Sequence, residues 1–277
     1  MTRQPAEAFT SALHAVVSAP VRIAYTIYAV ALFLALGLCA LLLALLLPAV
    51  ERRRAVARAI ARAFLWSVGM PLSIKSGDRI PPGQCVVVAN HASYLDGLVF
   101  SAALPARFGF VVKREMAAVP LAGLLLRRLG SQFVERFNRS RSAADARRML
   151  RNASNGQSLV FFPEGTFTRT PGLLKFHTGA FAVAARARCP VVPAVVRGTR
   201  VALSPRGGLP RPGRIEVQIL QPLTPRSQSP EEAIMELRDR ARDAILHELG
   251  EPDLTCSGDT AHPPRTARAR SARASRP

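Results

Sequence analysis

Residues 85–96 read Cys85-Val86-Val87-Val88-Ala89-Asn90-His91-Ala92-Ser93-Tyr94-Leu95-Asp96. A short apolar, β-branched run that breaks into polar residues predicts a buried strand leaving the core at Asn90. A helical stretch follows at 97–104. Strand, polar loop and helix form the building unit of an α/β sheet, and ligands of such sheets sit where strands exit. His91 stands at that exit. Asp96 comes five positions later, and in one straight helix the two side chains would point about 140° apart. A direct pair therefore requires His91 in the loop and Asp96 in the first helical turn. So arranged, Asp96 fixes the imidazole tautomer and leaves the other nitrogen free to take a proton from a bound hydroxyl. Ser93-x-x-Asp96 also matches a capping box, which would commit Asp96 to the helix terminus.

Working outward, further β-type runs occur at 109–112, 158–162, 191–196 and 214–219, and helical ones at 119–128, 140–152, 178–187 and 230–249. The alternation predicts an α/β domain over 71–250, with a central mixed sheet flanked by helices. The strand ending at Phe162 runs into Pro163-Glu164-Gly165-Thr166, with Arg169 and Lys175 beyond. Proline fixes the backbone there, glycine permits close approach of a ligand, and the cations suit an anion.

Upstream, residues 23–50 carry no charge and predict a hydrophobic membrane helix, preceded by an N-terminal segment, 1–22. As one helix these 28 residues extend roughly 42 Å, beyond a hydrocarbon core of about 30 Å. A single tilted span is the preferred reading, with an early stop at Pro48 or a re-entrant hairpin near Gly37 as alternatives. The run Glu51-Arg52-Arg53-Arg54 replaces a cleavage site, against a removable signal peptide. Arginines after the span outnumber those before it, so the positive-inside rule puts the C-terminal bulk in the cytoplasm, with the cell (inner) membrane as the expected location. Residues 51–70 read as a basic amphipathic connector suited to anionic lipid, and 251–277 as a disordered basic tail.

The net charge of +20 favours polyanionic partners, but the aromatic content of 6% and scattered arginines provide no nucleic-acid recognition motif. Only Lys75, Lys113 and Lys175 are lysines. The cysteines, Cys39, Cys85, Cys189 and Cys256, lie far apart without a CxxC pair, which predicts reduced thiols and no metal site. No Gly-x-Ser-x-Gly elbow is present, so a serine hydrolase is disfavoured.

Asn90-His91-x-x-x-x-Asp96 together with Phe162-Pro163-Glu164-Gly165-Thr166 resembles the PlsC-type glycerolipid acyltransferases. Lys113-Arg114-Glu115, Phe133-Val134-Glu135-Arg136 and Val192-Pro193-Ala194 look like further blocks of that family, over roughly residues 70–200. The resemblance implies a membrane-bound enzyme that moves an acyl group from acyl-CoA or acyl-carrier protein, as co-substrate, to the free hydroxyl of 1-acylglycerol-3-phosphate, giving phosphatidic acid. Another lysophospholipid or lyso-aminolipid is the alternative acceptor. By position, His91 is the general base and Asp96 its partner, and Glu164, Gly165, Thr166 and Arg136 bind the glycerol phosphate. Lys113, Lys175 and Arg169 are further candidates for the substrate anion. The resemblance implies no cofactor, with membrane lipids as the other partners. One departure stands out: the family's third block commonly continues Glu-Gly-Thr-Arg-Ser, whereas here Phe167 follows Thr166 and the arginine comes two positions later, at Arg169.

Overall fold

The computed structural model describes residues 4–135, 156–204 and 208–255, with side chains from residue 20 onward. Arg136, the helix expected at 140–152, Cys256 and most of the expected tail lie outside the described residues.

Seven strands build one mixed sheet: β1 (Leu72–Lys75), β2 (Val86–Ala89), β3 (Phe108–Lys113), β4 (Gln132–Val134), β5 (Ser158–Phe161), β6 (Val191–Arg197) and β7 (Ile215–Ile219), in the order β1-β7-β6-β2-β5-β3-β4. From β6 to β4 all neighbours are parallel, while β7 is antiparallel to β6 and parallel to β1. Five strands therefore deliver their C-terminal ends to one edge of the sheet, the edge at which α/β folds hold ligands. β2 and β5 lie at its centre and bury every residue, the reason their sequences are continuously apolar rather than alternating.

Successive residues of β2 feed opposite cores. Val87 and Ala89 face α2 (Val50–Ser67) and α3 (Asp96–Ala103) through Phe64, Leu65, Val99 and Phe100. Val86 and Val88 face α5 (Gly179–Ala187) and α7 (Pro230–Leu249) through Phe181, Ala184, Leu237 and Ile245. Full burial of each large side chain contributes about 1.5–3 kcal/mol, so these two layers hold the sheet rigid beneath the site. Among the described residues the remaining α-helices are α1 (Gln4–Leu46), α4 (Ala122–Arg128) and the short α6 (Thr199–Ala202).

The hydrophobic segment differs from expectation in extent. α1 is one continuous helix that starts at Gln4 and ends before Pro48, so Gly37 makes no hairpin. Its stretch Pro20–Leu46 is long and apolar enough to cross a membrane. Yet α1 does not stand apart from the domain, because α2 folds back along it. The Tyr25 hydroxyl donates to Val68 O at 2.8 Å, the Tyr28 hydroxyl to Ser67 O at 3.2 Å, and the rings of Phe33 and Phe64 meet at 5.6 Å. Arg128 of α4 donates to Ala44 O at 3.1 Å and Leu45 O at 2.9 Å.

Several arginines of the connector turn inward. Arg54 donates to Leu129 O at 2.8 Å and Arg107 O at 3.0 Å, Arg53 to Arg128 O at 3.1 Å, and Arg62 to Ala102 O at 2.8 Å. These carbonyls include the otherwise unsatisfied C-terminal ends of α3 and α4, where a cation also complements the helix dipole.

Candidate active site

The loop between β2 and α3 brings the expected pair together. His91 lies in the loop and Asp96 is the first residue of α3. His91 Nδ1 stands 2.8 Å from Asp96 Oδ2, and the same oxygen accepts the main-chain N–H of Ala92 at 2.6 Å and of Ser93 at 2.9 Å. Asp96 is 0% exposed, and a carboxylate so buried persists only with charge-assisted donors around it. Since that carboxylate is acceptor only, Nδ1 carries the proton and donates, leaving Nε2 as the free base.

The capping reading is half fulfilled. Asp96 reaches back to the Ser93 N–H as a capping box requires, but Ser93 Oγ donates to Leu203 O at 2.8 Å and accepts from Leu95 N–H at 3.3 Å instead of closing the box. One carboxylate oxygen thus shapes the loop and orients the imidazole at once.

Beside β2, β5 ends at Phe161 and its loop carries Glu164 against His91. Glu164 Oε1 accepts the His91 main-chain N–H at 2.6 Å, and Oε2 accepts that of Leu174 at 2.9 Å. Burial pushes the Glu164 carboxyl up to about 7, against the opposing pull of its two amide donors and of Arg200. Both Glu164 oxygens accept main-chain amides, so the side chain ties the loop after β5 to the main chain of His91. Gly165, whose N–H donates to Phe162 O at 3.0 Å, turns the chain directly after it.

Two phenylalanines enclose the base. The imidazole stacks on Phe162 with centroids 4.5 Å apart and planes inclined by 21°, and Phe167 meets it edge-on at 4.6 Å. Tyr94, largely exposed, packs on Phe167 at 4.7 Å. The histidine side chain keeps 19% of its surface exposed, so a substrate can reach it. On the other side Asn90 donates to Val196 O at 3.1 Å and accepts from Val196 N–H at 2.8 Å, tying the end of β2 to β6.

Of the other expected binding residues, Thr166, Arg169 and Lys175 are exposed on the loop beyond Glu164. Lys113 ends β3 at the same sheet edge, two strands from β2, 3.2 Å from Glu115. None of these four makes a described contact with His91. Sequence reasoning missed Arg200, which donates to Thr168 O at 2.8 Å and Thr170 O at 3.3 Å and so holds this loop. One arginine among many gives no signal. Phe167 did give one, as the departure in the third block. Among the described residues no group of His, Cys, Asp or Glu gathers at metal-binding distance, and Cys39, Cys85 and Cys189 are free thiols.

The Acyltransferase family model matches residues 72–197, which include both motifs. The 1-acyl-sn-glycerol-3-phosphate acyltransferase of Saccharomyces cerevisiae is 27% identical over 213 residues, covering 76% of this chain and 70% of the yeast protein. That of Cocos nucifera is 30% identical over 163 residues, covering 58% and 53% of the two chains. 1-acyl-sn-glycerol-3-phosphate acyltransferase alpha of Homo sapiens is 29% identical over 180 residues, covering 64% and 63%. The chain thus spans between 53% and 70% of the length of these curated relatives. In three dimensions it resembles the crystal structure of the 1-acyl-sn-glycerophosphate (LPA) acyltransferase PlsC from Thermotoga maritima, with a TM-score of 0.67 over 84% of this chain and 97% of that one, at 21% identity. Residues 72–197, in which both motifs join at one sheet edge, match the Acyltransferase family, and the chain is similar to the 1-acyl-sn-glycerol-3-phosphate acyltransferases, which are O-acyltransferases.

Proposed function

We propose that this protein transfers a fatty acyl group from an acyl thioester to the free hydroxyl of 1-acylglycerol-3-phosphate, forming phosphatidic acid at the cytoplasmic face of the cell membrane. The observation that carries the reading is the Asp96–His91 pair, which leaves Nε2 open beside an aromatic wall. Nε2 takes the hydroxyl proton as the oxygen attacks the thioester carbonyl carbon, and the imidazolium that forms is balanced by Asp96. The tetrahedral intermediate then expels the thiolate by breaking the C–S bond, and the imidazolium returns its proton to sulfur. The products are the ester and a free thiol.

The names of the relatives support the acceptor. Phe167, in the place of an arginine, favours a second reading in which the acceptor is another lysophospholipid or a lyso-aminolipid. Either lipid reaches the site from a bilayer. Because α2 and α4 pack along α1, we infer that the outward apolar face of α1 lies in lipid with the domain attached at its side, rather than as an isolated span.

The decisive experiment offers the purified protein a panel of lysolipids with acyl-CoA and acyl-carrier protein, reading products by mass spectrometry and free thiol in parallel. Release of thiol with one acylated lysolipid, lost in His91→Ala, is the expected outcome. No thiol release from any pair, or a His91→Ala variant as active as the parent, overturns the enzyme reading.

A further inference from the structure

The chain that follows α7 returns to the site. Gly250 ends the helix in a left-handed conformation, and residues 251–254 then run beside the loop that carries Phe167. Leu173 N–H donates to Pro252 O at 2.9 Å and Leu254 N–H to Leu173 O at 3.1 Å, a parallel bridge between Leu173 and Asp253. Glu251 Oε2 accepts the Gly172 N–H at 2.6 Å and lies 3.2 Å from Arg200 Nη2, the arginine that also holds Thr168 O and Thr170 O. Arg242 of α7 binds Asp253 through two nitrogens, at 3.0 and 2.5 Å, while donating to Leu174 O at 3.1 Å and Leu173 O at 3.2 Å. Gly172, at φ +142, has Leu254 upon it, and a Cβ there would stand 2.5 Å from Leu254 Cγ.

Loop 165–174 has no ladder of its own beyond this bridge, so its polar backbone groups depend on these partners. The contacts also lead inward. Leu174 N–H is held by Glu164, whose other oxygen holds the His91 N–H.

We propose that residues Glu251–Leu254 form a clasp that positions the loop 165–174 and, through Leu174 and Glu164, the main chain of His91 for acyl transfer. The proposal rests on the acyltransferase reading for its catalytic consequence, but the clasp itself is a property of this chain's own contacts. Glu251 is a positioning residue, since it acts through Gly172 and Arg200 rather than on substrate. The Glu251 side chain keeps 27% of its surface exposed, so its removal leaves no buried cavity and loosens the loop without unfolding the domain.

The test compares the full-length parent with Glu251→Ala and Glu251→Gln, measuring amide hydrogen exchange, thermal unfolding, and kcat and KM for lysolipid and thioester. In Glu251→Ala, exchange at Gly172, Leu173 and Leu174 rises by about tenfold or more while β2 and β5 keep their protection. kcat falls by about tenfold while the thioester KM stays within about twofold, and Glu251→Gln, which still accepts the Gly172 N–H, recovers most of the loss. A parental kcat and parental exchange in Glu251→Ala overturn the clasp. So does exchange that rises evenly over the sheet, with kcat lost in step with thermal stability. Should the parent acylate no lysolipid, the acyltransferase reading fails alone, and exchange at Gly172–Leu174 still decides the clasp.

Discussion

The side chain of Glu164 accepts the main-chain N–H of His91 at 2.6 Å, across 73 residues of sequence. That bond joins the two motifs of the site into one body. It also gives the glutamate a positioning role, fixing where the base stands.

Because burial lifts Glu164 to about 7 from an ordinary 4.5, the folded protein holds a proton there that the unfolded chain has already released. Across that window stability falls as pH rises, by up to about 3 kcal/mol, and below the unfolded value of 4.5 the stabilisation is fully present. Only the ionised form accepts both amides, so activity rises over the range in which stability falls. Glu164→Gln removes the pH dependence of stability and lowers kcat by about tenfold. Thermal unfolding in detergent from pH 5 to pH 8 checks this, and parallel curves for parent and variant refute it.

Asp96→Asn keeps the shape of the loop but no longer balances an imidazolium. kcat drops by about a thousandfold with KM little changed. Steady-state kinetics decide the point, and a loss below about threefold would make Asp96 a capping residue only.

Phe167 stands where the family commonly carries an arginine. Phe167→Arg places a cation beside His91 and lowers the KM for lysophosphatidate relative to uncharged or zwitterionic lysolipids, by about tenfold. An unchanged acceptor ranking in competition assays would show that this position does not choose the headgroup.

Asn90 exchanges two hydrogen bonds with Val196 and is buried. Asn90→Ala leaves the Val196 N–H and C=O unsatisfied and costs about 2–4 kcal/mol of stability. Denaturant unfolding measures it, and a loss under about 0.5 kcal/mol would mean the pairing is replaceable.

Leu34, Leu38 and Leu42 recur every four residues on the exposed face of α1. Replacing all three with Glu removes the apolar face without touching α2, and binding to anionic vesicles falls by more than about a hundredfold. Co-flotation reads the change. Retained binding would assign membrane attachment to other surfaces.

Much of the fold was legible because the central strands are buried on both faces. Unbroken apolar runs marked β2, β3, β5 and β6, and alternation marked β7. The two strands that left no signal, β1 and β4, are the sheet's edges, each with a single neighbour, no fully buried residue, and four and three residues respectively. An edge strand has one ladder and little apolar surface to announce it. α1 was found, but its extension back to Gln4 and its packing against α2 were not.

By itself the sequence determined that His91 and Asp96 share one short stretch at a strand exit, where pairing and capping were both open readings, and the order of the two motifs that resembles the family's. Tertiary structure alone decided what Glu164 holds, that Phe162 and Phe167 enclose the imidazole, and that Arg200 and Glu251 reach the same loop. Those relationships join chain segments tens of residues apart. A hydrogen bond of under 3 Å between such segments depends on the sheet register that brings five strand ends to one edge, and no local pattern of residues encodes that register.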